Sequence, residues 1–239
     1  MNEKYHKWNS YYLHGEYEML VFGHSGNPVI FFPMSKGRYY QAKDLGFIDA
    51  AAQLIENGSI KIYCPDSVDS QSWYNYFIHP ADRVKTHNGY ENLIIKEVID
   101  FAKHETGAEK VGVAGCCFGA YHALNMALRH PDMVSSVICL GGTYDISRFI
   151  NGYYDDNCYF NSPLDYLPGL EDEWYLERIK QMNIIFGIGE LDQYMNENKK
   201  ISGLFNQKNI SHLFQIVHDK GHDVNLWVEQ FPQYLEKLV

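Results

Sequence analysis

Nowhere in the chain does an apolar run approach the length needed to cross a bilayer. Basic clusters are equally scarce. The 20 Lys and Arg face 30 Asp and Glu, a formal net charge of −10, and that balance disfavours nucleic acid and anionic membrane as partners. The five cysteines are odd in number, with Cys116 and Cys117 adjacent, and no C-x-x-C pair occurs. This excludes a disulfide framework and a paired-cysteine zinc site. No internal repeat, low-complexity tract or linker interrupts the 239 residues, which are expected to form one domain with a substantial core. Residues Met1 to Trp8 lack the apolar segment of a signal peptide. The expected compartment is a reducing cytoplasm, where a free thiol survives.

Against these absences stands Gly115-Cys116-Cys117-Phe118-Gly119. The pentapeptide has the G-x-nucleophile-x-G spacing of a hydrolase elbow, with a thiol where such motifs carry a serine hydroxyl. A short β-type run, Lys110 to Ala114, precedes it, and a good helix former, Ala120 to Arg129, follows. Strand, tight turn and helix are the context the motif needs. Glycines at both ends let strand and helix approach closely, so that Cys117 can project from a strained turn. The free N–H groups of the new helix then face whatever binds there, in a field that stabilises a thiolate or an oxyanion. The competing reading is a small-residue turn with two buried cysteines that act as small hydrophobes.

The rest of the chain alternates strands and helices. Apolar β-type runs are read at Glu18–Gly23, Pro28–Phe32, Ile60–Cys64, Val134–Leu140, Asn183–Ile188 and His212–Val217, with a further short strand at Tyr11–Leu13. Helices are read at Phe47–Glu56, Tyr90–Glu105, Asn196–Asn206 and Val224–Leu238. Gly23-His24-Ser25-Gly26 reads as a hairpin turn, not as a serine motif, because it lacks the spacer before the final glycine and leads into a turn and strand rather than a helix. Residues from about 144 to 180, after the sixth strand, are irregular and rich in Tyr, Asp, Asn and Pro, which suggests a cap-like insertion. Strands apolar on both faces and alternating with helices describe an α/β fold with a mostly parallel sheet flanked by helices. Ligand chemistry in such sheets gathers at the C-terminal edge of the strands.

If Cys117 is a nucleophile, an acid and a histidine should follow on later loops of that edge, in that order. Gly189-Glu190-Leu191-Asp192 follows one strand and His218-Asp219-Lys220-Gly221-His222 follows the last. Asp192 and His222 fit, the histidine taking the thiol proton or holding it as an ion pair while the aspartate orients the ring. Glu190 and Asp145 compete for the acid position and His218 for the base; Asp192 also reads as a helix N-cap. His218 and His222 have the spacing of a metal pair, but no third ligand stands at metal spacing, and neither a metal nor an organic cofactor is called for. The oxyanion hole is expected from the backbone N–H of Phe118 and from the loop Pro33-Met34-Ser35-Lys36-Gly37-Arg38, with Ser35 as the second donor and Met34 as the near alternative. Arg38 is a candidate for binding a substrate carboxylate or an ordinary surface arginine. Trp73 and Tyr74, in one of two aromatic clusters, are candidates for a pocket wall or for loop anchors.

These residues resemble an α/β-hydrolase of the putative-esterase group, broadly similar to the esterase D and mycolyltransferase-like enzymes. The likeness runs through Phe32-Pro33 to Ser35 with Gly37-Arg38, Asp66-Ser67-Val68-Asp69 leading to Ser72-Trp73-Tyr74, and the elbow itself. It continues in Gly152-Tyr153-Tyr154-Asp155-Asp156, Tyr166-Leu167-Pro168 and Gly221-His222-Asp223. The resemblance implies Cys117, Asp192 and His222 at the triad positions and an esterase acting on a small-molecule ester. The chain departs from it at Cys117, where the group has serine, and at Val224, where an aromatic residue is expected. Four other readings accompany the esterase: a thiol hydrolase of the dienelactone-hydrolase type, an acyltransferase, a serine esterase weakened by substitution of cysteine at position 117, and a non-catalytic protein that binds acyl ligands. A homo-oligomer is compatible with the sequence.

Overall fold

A computed structural model describes residues 1–238. Eight strands form one sheet: β1 (Glu3–Ser10), β2 (Gly15–Phe22), β3 (Asn27–Phe32), β4 (Ile60–Pro65), β5 (Val111–Cys116), β6 (Val134–Leu140), β7 (Asn183–Gly189) and β8 (Leu213–Val217). Their order is β1-β2-β4-β3-β5-β6-β7-β8. β2 runs antiparallel to both β1 and β4, and every other neighbouring pair is parallel. Each parallel crossover carries helix. α1 (Gln41–Asp44), α2 (Phe47–Ala50) and α3 (Ala52–Glu56) precede β4, and α4 (Pro80–Leu93) and α5 (Asp100–Thr106), joined by a π-helical stretch Ile94–Ile99, precede β5. α6 (Phe118–Arg129) precedes β6, α11 (Met195–Gln207) precedes β8, and α12 (Val224–Leu235) ends the fold.

The core lies in two layers because the central strands are apolar on both faces. All of β4 and β5 is buried. On one side Ile30, Phe32, Tyr63 and Val113 pack with α4–α6, whereas on the other Phe31, Ile62, Ala114 and Ile138 pack with α2, α3 and α12. Alternate residues of each strand therefore serve opposite layers, as the period of two dictates.

Five sequence readings change. Tyr11–Leu13 is not a strand but the turn between β1 and β2, where Ser10 Oγ accepts from the backbone N–H of Tyr12 (3.2 Å) and Leu13 (3.3 Å). The segment after β2 is not a hairpin turn, because β4 lies between β2 and β3. The helix expected over Phe47–Glu56 is two pieces, broken where Ala51 leaves the helical region at φ −88° and ψ 4°. The Tyr90–Glu105 helix begins ten residues earlier, at Pro80, capped by His79 Nδ1 accepting from the Ala81 N–H. Residues 144–180 are not irregular: they hold α7 (Ser147–Ile150), α8 (Asp156–Phe160), α9 (Pro163–Gly169) and α10 (Glu173–Ile179).

Candidate active site

Cys117 sits between the last residue of β5 and the first of α6, at φ 54° and ψ −119°. A non-glycine residue held at positive φ is strained, and the surroundings must impose it. Here the Cys117 N–H donates to Leu140 O at 2.9 Å and its carbonyl accepts from the Thr143 N–H at 3.3 Å. The end of β6 and the loop that follows it thus hold both backbone groups of the strained residue. The flanking glycines are required by space. A Cβ at Gly115 would lie 2.4 Å from the Gly119 backbone, and one at Gly119 would lie 2.5 Å from Phe32 O. The same close approach brings the elbow against the loop that follows β3.

The acid and the base arrive from the next two strand ends. Leu191 N–H donates to Lys220 O and Glu190 N–H to Val217 O, both at 2.8 Å, so the two loops are stitched together. Asp192 is buried; its Oδ1 accepts from the Tyr194 N–H at 2.9 Å and its Oδ2 from His222 Nδ1 at 2.8 Å. The imidazole lies between the rings of Trp227 (4.6 Å, edge-on) and Tyr194 (5.2 Å). Burial works against its charged form, but hydrogen bonding to Asp192 and to Cys117 outweighs it, and the ring is pushed up to about 9. The competing residues pair with each other: His218 Nδ1 lies 3.1 Å from Glu190 Oε2, and both are exposed. Asp145 is exposed and accepts from the Ser147 N–H.

Phe118 is the first residue of α6, and its N–H belongs to the helix end that lacks an intrahelical acceptor. Across from it, the Met34 N–H is spent on Gln41 Oε1 at 2.7 Å, whereas the Ser35 N–H has no protein acceptor among the described residues. Ser35 also brings its hydroxyl to 3.9 Å from Cys117 Sγ. Tyr74 donates to Ser35 Oγ at 2.7 Å, which leaves the serine's own hydrogen free to turn toward the sulfur. Burial pushes the Tyr74 hydroxyl up to about 12, so it remains a donor.

Two candidate substrate contacts are placed elsewhere. Trp73 is fully buried between His87 and Phe149, too deep to touch a substrate. Arg38 spends its guanidinium on Asp66, at 2.7 Å, and on Glu18.

The sequence reading assigned no role to Asp69 and His122. Asp69 is buried, accepting from the Lys36 N–H at 2.9 Å through Oδ2 and contacting His122 Nε2 at 2.9 Å through Oδ1. Lys36 itself is at φ 55°. A buried carboxylate therefore ties the strained loop bearing Ser35 to the helix bearing Phe118. The signal lies in the sequence: Asp69 closes Asp66-Ser67-Val68-Asp69, and His122 stands three residues past the elbow.

The family described as Putative esterase matches residues 9–238. The chain belongs to this family. Membership makes it an ester hydrolase, and its architecture is that of the α/β-hydrolase esterases. A ferulic acid esterase superposes with a TM-score of 0.77 at 16% identity, covering 97% of this chain and 95% of its own. An S-formylglutathione hydrolase from Agrobacterium tumefaciens gives 0.76 at 12% identity over 98% of this chain and 93% of its own. A ferulic acid esterase from the anaerobic fungus Anaeromyces mucronatus gives 0.68 at 13% identity, covering 98% and 89%. At these identities the likeness is one of fold. No curated protein sequence matches the chain. Among the described residues of this esterase no helix is long and apolar enough to cross a membrane.

Proposed function

We propose that the chain hydrolyses a small carboxylic ester through a thioester on Cys117, with His222 and Asp192 completing the triad. One observation carries this reading: a buried aspartate holds an imidazole at 2.8 Å beside a cysteine forced to positive φ at a helix N-terminus. Cys117 is also partly exposed, whereas Cys64, Cys116, Cys139 and Cys158 are buried.

In the proposed cycle the Cys117 thiolate, paired with the His222 imidazolium, attacks the ester carbonyl carbon. A C–S bond forms and the carbonyl oxygen becomes an oxyanion that accepts from the Phe118 and Ser35 N–H groups. Collapse breaks the C–O bond, and His222 gives its proton to the departing alcohol. The neutral ring then takes a proton from water as the water attacks the thioester. A second collapse releases the carboxylic acid and restores the thiolate–imidazolium pair. Asp192 keeps the ring in the orientation both transfers need.

Cys117→Ser, which restores the hydroxyl of the family pattern, is expected to hydrolyse short p-nitrophenyl esters. Adding His222→Ala should lower its kcat/KM by about 10²–10⁴-fold, the range for loss of a general acid–base. Iodoacetamide should label wild-type Cys117 faster than an ordinary thiol, and His222→Ala should abolish that advantage. A folded serine variant silent across an ester panel would sink the proposal.

A further inference from the structure

Two cations beside this site have no carboxylate partner among the described residues. Lys36, next to Ser35, places Nζ 5.2 Å over the Tyr74 ring. Arg148, in α7, lies 4.7 Å over the Phe149 ring and 5.8 Å over the Tyr194 ring, and donates to Tyr194 Oη at 3.2 Å. These rings frame the reacting groups. Phe149 packs on Tyr74 (4.7 Å) and Phe118 (5.2 Å), and Tyr194 packs on His222 (5.2 Å). Arg148 therefore bridges the Tyr74 and His222 sides of Cys117, held by aromatic faces that restrict it but do not neutralise it.

The neighbouring acids are already engaged. The Glu197 carboxylate accepts from the N–H groups of Tyr144 and Asp145 and from Thr143 Oγ1. Asp145 accepts from the Ser147 N–H, and Asp69 is buried beneath the loop on Lys36 N–H and His122. Among the described residues neither Lys36 nor Arg148 is within salt-bridge distance of a carboxylate, so both keep N–H donors free beside the reacting groups.

We infer that Lys36 and Arg148 form an anion subsite, and that the substrate is an ester bearing a carboxylate. The identification of an ester rests on the reading above, but the charge selection does not. A planar guanidinium offers a carboxylate two parallel N–H donors, and the lysine adds a second positive charge from the oxyanion-loop side. The arrangement favours anionic over neutral esters of equal size.

The test has two arms. In the first, Cys117 reacts with two disulfide probes at neutral pH, the dicarboxylate dithiobis-nitrobenzoate and the uncharged dipyridyl disulfide; each forms a mixed disulfide with the thiol and needs no esterase activity. The charged-to-neutral rate ratio is expected to fall by about fivefold or more in the Lys36→Gln/Arg148→Gln double variant, as loss of steering charge requires. Arg148→Lys should retain most of the ratio, and high salt should bring wild type toward the double variant. In the second arm, kcat/KM for p-nitrophenyl hemisuccinate over p-nitrophenyl valerate is measured in the Cys117→Ser background, where the same pair of substitutions should lower the ratio. Unchanged ratios in both arms overturn the inference. A shifted probe ratio with no turnover of any ester leaves the anion subsite standing and removes the esterase reading instead.

Discussion

At the residue scale the chemistry depends on how His222 is held. Its imidazole is raised from the ordinary histidine value of 6.5 to about 9, against the effect of burial, by Asp192 and Cys117. A group raised in the folded state contributes stability that is fully present below its unfolded value and is lost as pH rises through the folded one. The Asp192–His222 pair therefore stabilises the fold below pH 6.5 and loses that contribution as pH climbs through about 9. Asp192→Asn removes the charge that favours imidazolium, so the His222 Cε1–H resonance should titrate at a lower pH than in wild type. The melting-temperature gap between wild type and this variant should narrow over the same alkaline range. A His222 midpoint that does not move on Asp192→Asn would show that the carboxylate does not control the ring. Much of this arrangement was legible in the sequence, because the chemistry lies at fixed offsets from strand ends. The pairing of Glu190 with His218, which separates competing from central residues, was not, because it depends on how two loops pack.

At the element scale the elbow and the oxyanion loop must keep their spacing, and Asp69 is the link between them. Two donors converge on its carboxylate, the Lys36 N–H and the His122 ring. Asn in its place keeps the shape but has one acceptor oxygen, so one donor must face an amide N–H₂. Asp69→Asn in the Cys117→Ser background is expected to lower kcat about tenfold with little change in KM. That is less than the ~10²–10³ lost when an oxyanion donor is deleted outright, because the N–H groups remain and only their placement loosens. A rise in KM at constant kcat would mean that Asp69 shapes binding rather than the oxyanion hole. Linkages of this kind escape a sequence reading because the partners are 53 residues apart. The same reason hid the β1–β2 turn. Glu97, in the π-helical stretch, accepts from Trp8 Nε1 at 2.7 Å and from the Tyr11 N–H at 3.0 Å, so Tyr11 is fixed from far along the chain. Helix α4 was hidden differently, by the polar run Pro80 to Gly89, which carries little apolar periodicity.

For the molecule as a whole, the question is whether residues 144–180 move as a lid or share the fold's stability. Asn161 answers it. The side chain is fully buried, and Nδ2 donates to Asn88 Oδ1 at 2.7 Å and Asn157 O at 2.9 Å. Its Oδ1 accepts from Asn125 Nδ2 at 3.0 Å and Arg129 Nη1 at 2.8 Å, and its carbonyl accepts from Tyr121 Oη at 2.9 Å. One residue of the insertion thus satisfies polar groups on both α4 and α6. Arg83 of α4, also buried, adds a second tie by donating to Phe149 O and Ile78 O. Such buried networks are costly to break in part, because each orphaned group keeps its desolvation penalty. Asn161→Ala should therefore lower global stability by about 2–5 kcal/mol in denaturant titration, within one cooperative transition. An independent lid would respond otherwise: the global midpoint would hold, and hydrogen exchange would accelerate only within the insertion. The distinction bears on chemistry because α7 carries Arg148 and Phe149, which line the mouth of the site. If the insertion unfolds only with the core, those residues are fixed in place before a substrate arrives.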